Sequence, residues 1–204
     1  ISGVPFRLIL SEHNTTTGHR QTYPLWTKAI FPTLKRWFYP MADKVIAVSY
    51  GVGEDLHNGG IPRGKITVVA NPIITNQMIA KTSENLEHDW FAPGQPPVLL
   101  SVGRLTAQKD FPLLIKAFAE IHRSRPARLL ILGDGPDRSI LLSLVANLGV
   151  EKDVSLPGFV HNPYPYMKHA AVFVLSSQWE GLPTVLVEAL YCGAPIVSTD
   201  CHSG

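Results

Sequence analysis

Apolar residues in this chain gather in short runs rich in Val, Ile and Leu, separated by longer stretches with apolar positions at helical spacing. The runs at Arg7–Leu10, Lys44–Val48, Ile66–Val69, Val98–Gly103, Arg128–Leu132, Asp153–Leu156, Val172–Leu175 and Ile196–Ser198 read as strands. They are nearly continuous rather than alternating, the pattern of strands buried on both faces. Helices are expected over Pro24–Tyr39, Val52–Asn58, Phe111–Arg123, Arg138–Leu148 and Thr184–Tyr191. Strand, helix and strand in repetition predict a parallel α/β architecture.

The pattern weakens between Asn71 and Pro97, where Asn71-Pro72, Pro93-Gly94 and Pro96-Pro97 act as breakers. This predicts a linker between two α/β units. Residues 1–93 read as the remnant of one domain with its linker, and residues 94–204 as a nearly complete doubly wound domain truncated at its end. A strand almost at the first residue, and a stop in a loop straight after Ile196–Ser198, suggest a piece of a longer protein. Ligands of doubly wound sheets bind at the carboxyl ends of the strands. The loops after Val102, Leu132, Leu156, Leu175 and Ser198 are therefore the places to look.

Composition narrows the classes. Of 204 residues, 45% are hydrophobic, which suits a packed globular chain. Lys and Arg total 18 against 16 Asp and Glu, so no broad basic footprint points to nucleic acid. Cys192 and Cys201 form neither a disulfide framework nor the paired spacing of a zinc site. Reduced thiols in the cytoplasm are the plain expectation. No apolar run reaches bilayer length, and Ile1 opens no secretory signal pattern.

The strongest chemistry lies after Leu175, where Ser176-Ser-Gln-Trp-Glu-Gly-Leu-Pro leads into Thr184-Val-Leu-Val-Glu-Ala-Leu190. Pro183 suits the first turn of a helix, whose free N–H groups make an anion site. Gly181 would let a ligand approach the backbone. Glu188 shares a helix face with Thr184 and sits among apolar residues. A carboxylate there wants donors such as vicinal hydroxyls; a solvent-facing Glu is the plain alternative, and Glu180 just before the helix tips the balance to function. In Gly103-Arg-Leu-Thr-Ala-Gln-Lys-Asp110, Arg104 and Lys109 can neutralise a diphosphate without a metal, or be mere solvated charges. Leu132-Gly-Asp-Gly-Pro136 lacks the third glycine of a dinucleotide fingerprint, since Arg138 stands there. It reads as a tight strand-to-helix turn opened by Pro136, which argues against a dehydrogenase. Leu156-Pro-Gly-Phe-Val-His161 is a strand end and loop able to grip a flat base, though from chemistry alone it is an ordinary loop. His13, after the first strand, is a candidate acid/base or hydrogen-bond donor beside a purely structural reading. Pro24–Tyr39 mixes Lys28, Lys35 and Arg36 with Trp26, Phe31, Trp37 and Phe38, interrupted by Pro32. Core packing with a solvated basic face outweighs contact with an anionic membrane surface there.

On these residues the chain resembles the family-4-type glycosyltransferases of the GT-B fold. The signatures run in family order: Ala47-Val-Ser49, Val69-Ala-Asn-Pro72, Ser101-Val-Gly-Arg-Leu-x-x-x-Lys109, Leu132-Gly-Asp-Gly-Pro136, Leu156-x-Gly-Phe159 and the Glu-x7-Glu element Glu180–Glu188. The resemblance implies two Rossmann-like domains, a nucleotide-diphosphate sugar as donor substrate, retention of anomeric configuration, and no metal or other cofactor. It implies Arg104 and Lys109 on the diphosphate, Glu188 on the ribose hydroxyls and Glu180 near the donor sugar. Backbone around Gly181, Leu182, Pro183 and Thr184 would meet sugar and phosphate, Phe159 and Val160 the base, and His13 the donor sugar. The acceptor class implied is a glycan or a lipid-linked sugar, which leaves peripheral contact with the inner membrane face open. Where the family often has Gly after the lysine, this chain has Asp110. A non-catalytic nucleotide-sugar-binding module and a sugar-nucleotide epimerase of the same fold are the competing readings. The Arg, the Lys and both Glu favour an enzyme over the module, and the ordered motifs argue against the epimerase.

Overall fold

The computed structural model describes residues 6–15 and 25–201, and among them the side chains of all but 25–29, 31 and 32. The chain divides into two compact units. The first gathers residues up to Asn71 with Trp179–Pro183 and the chain end from Cys201; the second gathers Pro72–Gln178 and Thr184–Asp200.

The first unit carries a three-stranded parallel sheet in the order β1-β2-β3, formed by β1 (Ile9–Glu12), β2 (Lys44–Ala47) and β3 (Ile66–Val68). Its core is Val45, Ala47, Val48, Val52, Leu56 and Ile61. β1 starts two residues later than the apolar run Arg7–Leu10 suggests, with Ile9 exposed and Glu12 inside the strand. Glu12 is tolerated there because Lys35 pairs with its carboxylate and the Tyr39 hydroxyl donates to it at 2.9 Å. Burial first, and then the Glu12 charge, push the Tyr39 hydroxyl far above its usual range. Helix α1 (Leu25–Phe38) runs past Pro32, where the sequence suggests an interruption. Proline removes one amide donor from the ladder without ending it here. The Pro24 expected at the start of this helix, and the side chains of Trp26, Lys28 and Phe31, lie outside the described residues. Helix α2 (Tyr50–Asn58) begins earlier than its apolar spacing indicates because Ser49 caps it, its hydroxyl accepting from the Val52 amide at 3.2 Å.

The second unit holds a five-stranded sheet in the order β6-β5-β4-β7-β8, all neighbours parallel. Its strands are β4 (Val98–Val102), β5 (Arg128–Leu132), β6 (Val154–Gly158), β7 (Val172–Leu175) and β8 (Ile196–Ser198). Helices α3 (Asn76–Thr82), α4 (Phe111–Ser124), α5 (Arg138–Asn147), α6 (Tyr164–His169) and α7 (Thr184–Tyr191) complete it. Both faces of the sheet are covered. Leu129 and Ile131 join Phe111, Ile115, Phe118 and Leu141 in one core; Leu130 and Leu132 join Leu100, Phe173, Met78, Met167 and Ala189 in the other. The strand period of two sends alternate residues of β5 to opposite cores, which is why its sequence reads as one unbroken apolar run. Doubly wound parallel architecture is thus present as the sequence indicates. β6 extends to Pro157 and Gly158, past the expected end at Leu156; as an edge strand it tolerates the missing amide of Pro157.

The division between units differs from the expected one at residue 93. The units part at Asn71, and the stretch read as a linker belongs to the second unit. Thr75 caps α3 by accepting from the Met78 amide at 3.2 Å, Met78 is buried in the second core, and Trp90 and Phe91 pack against that core. Met78, Trp90 and Phe91 are too widely spaced to register as periodicity. Among the described residues no helix is long and apolar enough to cross a membrane.

Candidate functional site

In the order β6-β5-β4-β7-β8 the chain direction of sheet growth reverses between β4 and β7, the switch point where doubly wound sheets open a crevice at their carboxyl ends. The loops leaving β4, β5 and β6 are stitched together there by main-chain bonds. Gly103 donates to Leu132 O at 2.9 Å, Gly133 to Gly158 O at 2.8 Å, and Leu105 to Asp134 O at 2.9 Å. Gly133 has φ +139, and a Cβ on it would lie 2.0 Å from the Gly103 carbonyl oxygen; one on Gly135 would lie 2.3 Å from that of Leu105. The Gly-Asp-Gly turn is therefore a packing device between loops. Pro136 does not open the helix after it: α5 starts at Arg138, with Asp137 in the cap position.

These loops enclose a cavity of about 470 Å³ with a mostly apolar lining. Its walls include Val102, Leu132, Phe159, Val160 and His161, with Arg104 and Asp134 as the charged groups. The structure thus brings Arg104, Phe159 and Val160, singled out in different motifs, into one cavity. Phe159 is 78% exposed, a large apolar ring held at the surface beside it. Among the described residues no carboxylate pairs with the exposed Arg104 guanidinium. Lys109 lies across Gly103: a Cβ there would meet Lys109 Cε at 3.2 Å. Gly103 itself lines the cavity, so the lysine stem passes over its wall.

Glu188 is half-buried on α7, and burial pushes its carboxyl above the ordinary Glu range. Its charge in turn adds to burial in raising the Tyr164 hydroxyl, and to burial in raising the Cys192 thiol. Tyr164, which feels the Glu188 charge, follows Pro163 in the cavity lining, while Glu188 itself does not line the cavity. Thr184, half-buried, is the first residue of α7, and Pro183 stands one place before it rather than inside its first turn.

The remaining candidates belong to the first unit. Glu180 is buried, with 6% exposure. Gly181 abuts His13: a Cβ on it would sit 1.9 Å from the His13 carbonyl oxygen. The sequence reading left that space to a ligand, whereas the chain's own backbone fills it. Gly181 O also accepts from the Ser49 hydroxyl at 2.7 Å, and Leu182 packs against the first core. The His13 ring is exposed, its Nε2 3.0 Å from Ser11 Oγ.

Sequence reasoning missed the parts played by Gly103, Asp134, His161, Pro163 and Tyr164. Gly103 and Asp134 lie inside the motifs after β4 and β5, but only the hydrogen bonds between loops show that they share a wall. Among the described residues no group of three or more His, Cys, Asp and Glu is placed to hold a metal ion.

Similarity to known proteins bears on the family and the fold. The family model for glycosyl transferases group 1 matches residues 82–204, and that for glycosyltransferase family 4 matches residues 3–77. A Campylobacter jejuni enzyme, N-acetylgalactosamine-N,N'-diacetylbacillosaminyl-diphospho-undecaprenol 4-alpha-N-acetylgalactosaminyltransferase, is 38% identical over 168 residues, covering 81% of this chain and 44% of its own. The apo structure of the lipopolysaccharide outer core galactosyltransferase WaaB matches with a TM-score of 0.60 at 32% identity, over 80% of this chain and 44% of that one. Anabaena HepE in complex with UDP-glucose shares the fold, with a TM-score of 0.74 at 22% identity over 96% of this chain and 54% of that one. The chain spans about half the length of these proteins or less.

Proposed function

The chain belongs to the glycosyl transferases group 1 family, with the GT-B type of α/β fold, and on that premise we propose that it carries the donor site of a retaining glycosyltransferase using a nucleotide-diphosphate sugar. The observation that carries the reading is the cavity at the carboxyl ends of β4, β5 and β6, with Arg104 at its rim and Phe159 and Val160 in its wall. A flat base suits the apolar wall, and a diphosphate suits the Arg104 guanidinium together with Lys109, whose stem crosses Gly103. Glu188 is a desolvated carboxylate that gains partners when vicinal ribose hydroxyls arrive.

Cleavage of the bond between sugar and diphosphate builds negative charge on the departing oxygen. Arg104, Lys109 and the N–H groups at the start of α7 stabilise that charge, so the reading needs no metal. The acceptor hydroxyl attacks the face the diphosphate leaves and gives its proton to the departing phosphate oxygen, which retains configuration. Glu180 and His13 are assigned to orienting the donor sugar, a hexose in this reading. A glycan or lipid-linked acceptor is supported by the Campylobacter jejuni relative, whose name places its acceptor on diphospho-undecaprenol. A cytoplasmic protein touching the inner membrane face follows from such an acceptor. Trp37 and Phe38, expected to pack in a core, are exposed at the end of α1, and with Met41 in the turn after it they supply an apolar surface for that contact.

The test is turnover in the whole gene product with a panel of nucleotide sugars. Release of nucleoside diphosphate is expected with one or a few of them, reduced about a hundredfold in Arg104→Ala, the scale of one lost oxyanion-type donor. Full turnover in Arg104→Ala and Glu180→Ala would remove both assignments.

A further inference from the structure

Lys109 needs a fixed position to serve as a counter-charge, yet it ends a single 3-10 turn, Ala107–Lys109, in a surface loop. The next residue, Asp110, stands in the left-handed region at φ 45, ψ 46, and is the one non-glycine residue with positive φ among the described residues. Glycine takes this conformation freely; for other residues it costs about 1–2 kcal/mol. Asp110 offsets this twice. Its carboxylate caps α4, Oδ1 accepting from the Leu113 amide at 3.3 Å, and Oδ2 accepts from the Gln178 side-chain amide at 3.0 Å. Two further bonds run beside that one between the same loops. The Gln178 backbone amide donates to Gln108 O at 2.8 Å, and the buried Ser176 hydroxyl donates to Lys109 O at 2.7 Å.

We propose that Asp110 and Gln178 form a latch, joining the loop after β4 to the loop after β7, that positions Lys109 over Gly103. Asp110 and Gln178 are positioning residues in this scheme and touch no ligand. The inference rests on the donor-site reading for its consequence, diphosphate affinity, but not for the latch itself. Charge alone predicts the opposite sign for one variant. Removing a carboxylate next to an anion site strengthens anion binding by simple Coulombic relief, whereas the latch requires Asp110→Gly to weaken it.

Two measurements on the whole chain decide the matter. The first is competitive labelling of lysine amines with acetic anhydride, read by mass spectrometry. Lys109 should react about threefold faster in Asp110→Gly and in Gln178→Ala, while the exposed Lys152 and Lys168 keep their rates. Gln178→Ala leaves the cap of α4 in place, so a change there cannot come from fraying of that helix. An unchanged Lys109 rate in both variants overturns the latch. The second is a double-mutant cycle on the affinity for uridine diphosphate. Asp110→Gly and Gln178→Ala should each weaken it about threefold or more, and add nothing in a Lys109→Ala background. Asp110→Asn keeps one acceptor oxygen for the Leu113 amide and turns the other position into a donor that a flipped Gln178 amide accepts, so it should bind as well as the parent. Equal losses with and without Lys109 overturn the proposal. Faster Lys109 labelling in both variants, with a parent chain that binds no nucleotide, upholds the latch and defeats the donor-site reading instead.

Discussion

At the scale of single residues, the site depends as much on atoms that are missing as on those present. Gly133 has a positive φ and no room for a Cβ against Gly103 O. Gly133→Ala must part the loops after β4 and β5, at a cost of about 2–4 kcal/mol; chemical denaturation should show that loss, and an unchanged midpoint would refute the packing role. Glu188 gives a prediction with a defined sign. Its carboxyl titrates higher when folded than when unfolded, so the folded state holds more protons, and stability falls as pH rises through that range. Glu188→Gln should therefore raise the Tm of the ligand-free protein at about pH 7.5, with the gain gone at about pH 3, below the usual carboxylate range. A gain equal at both pH values would show that desolvation of the charge is not the cause. Arg104, Phe159 and Val160 were legible in the sequence because their motifs sit at strand ends, where a doubly wound sheet must bind. Gly181 and Leu182 were legible as a motif but not in their local roles. Nothing in the spacing says that the His13 carbonyl and the first core meet them.

At the scale of elements, long apolar strands and long amphipathic helices announce themselves, and short capped helices do not. α6 was invisible because Asn162-Pro-Tyr-Pro165 reads as a string of breakers. The structure shows what Asn162 does. Its Oδ1 accepts from the Tyr164 amide at 3.3 Å, while its Nδ2 donates to Lys81 O at 3.0 Å and to Glu84 Oε2 at 2.7 Å. These bonds tie the cavity wall from Phe159 to Pro163 back to the end of α3. Asn162→Ala should speed amide hydrogen exchange across residues 159–164 by about tenfold, the loss of roughly one to two hydrogen bonds. Exchange unchanged in that stretch would show the wall to be held elsewhere.

At the scale of the whole molecule, parallel α/β architecture in two units was readable from the alternation of strand and helix. Their boundary was not, because breakers at Asn71, Pro93 and Pro96 look alike in sequence while only the first separates cores. A chain starting at Pro72 should be more stable than one starting at Gly94 by about 2 kcal/mol or more, the burial of Met78 with part of Trp90 and Phe91. Equal melting temperatures would return residues 72–93 to the role of linker. The central claim is that the cavity beside Arg104, together with Glu188 on α7, is a nucleotide-sugar site. Calorimetric titration of the whole gene product with uridine, guanosine and adenosine diphosphates tests it most directly. The account predicts selective binding of one of them, weakened about tenfold or more in both Arg104→Ala and Glu188→Ala; binding of equal strength in the parent and both variants would contradict it.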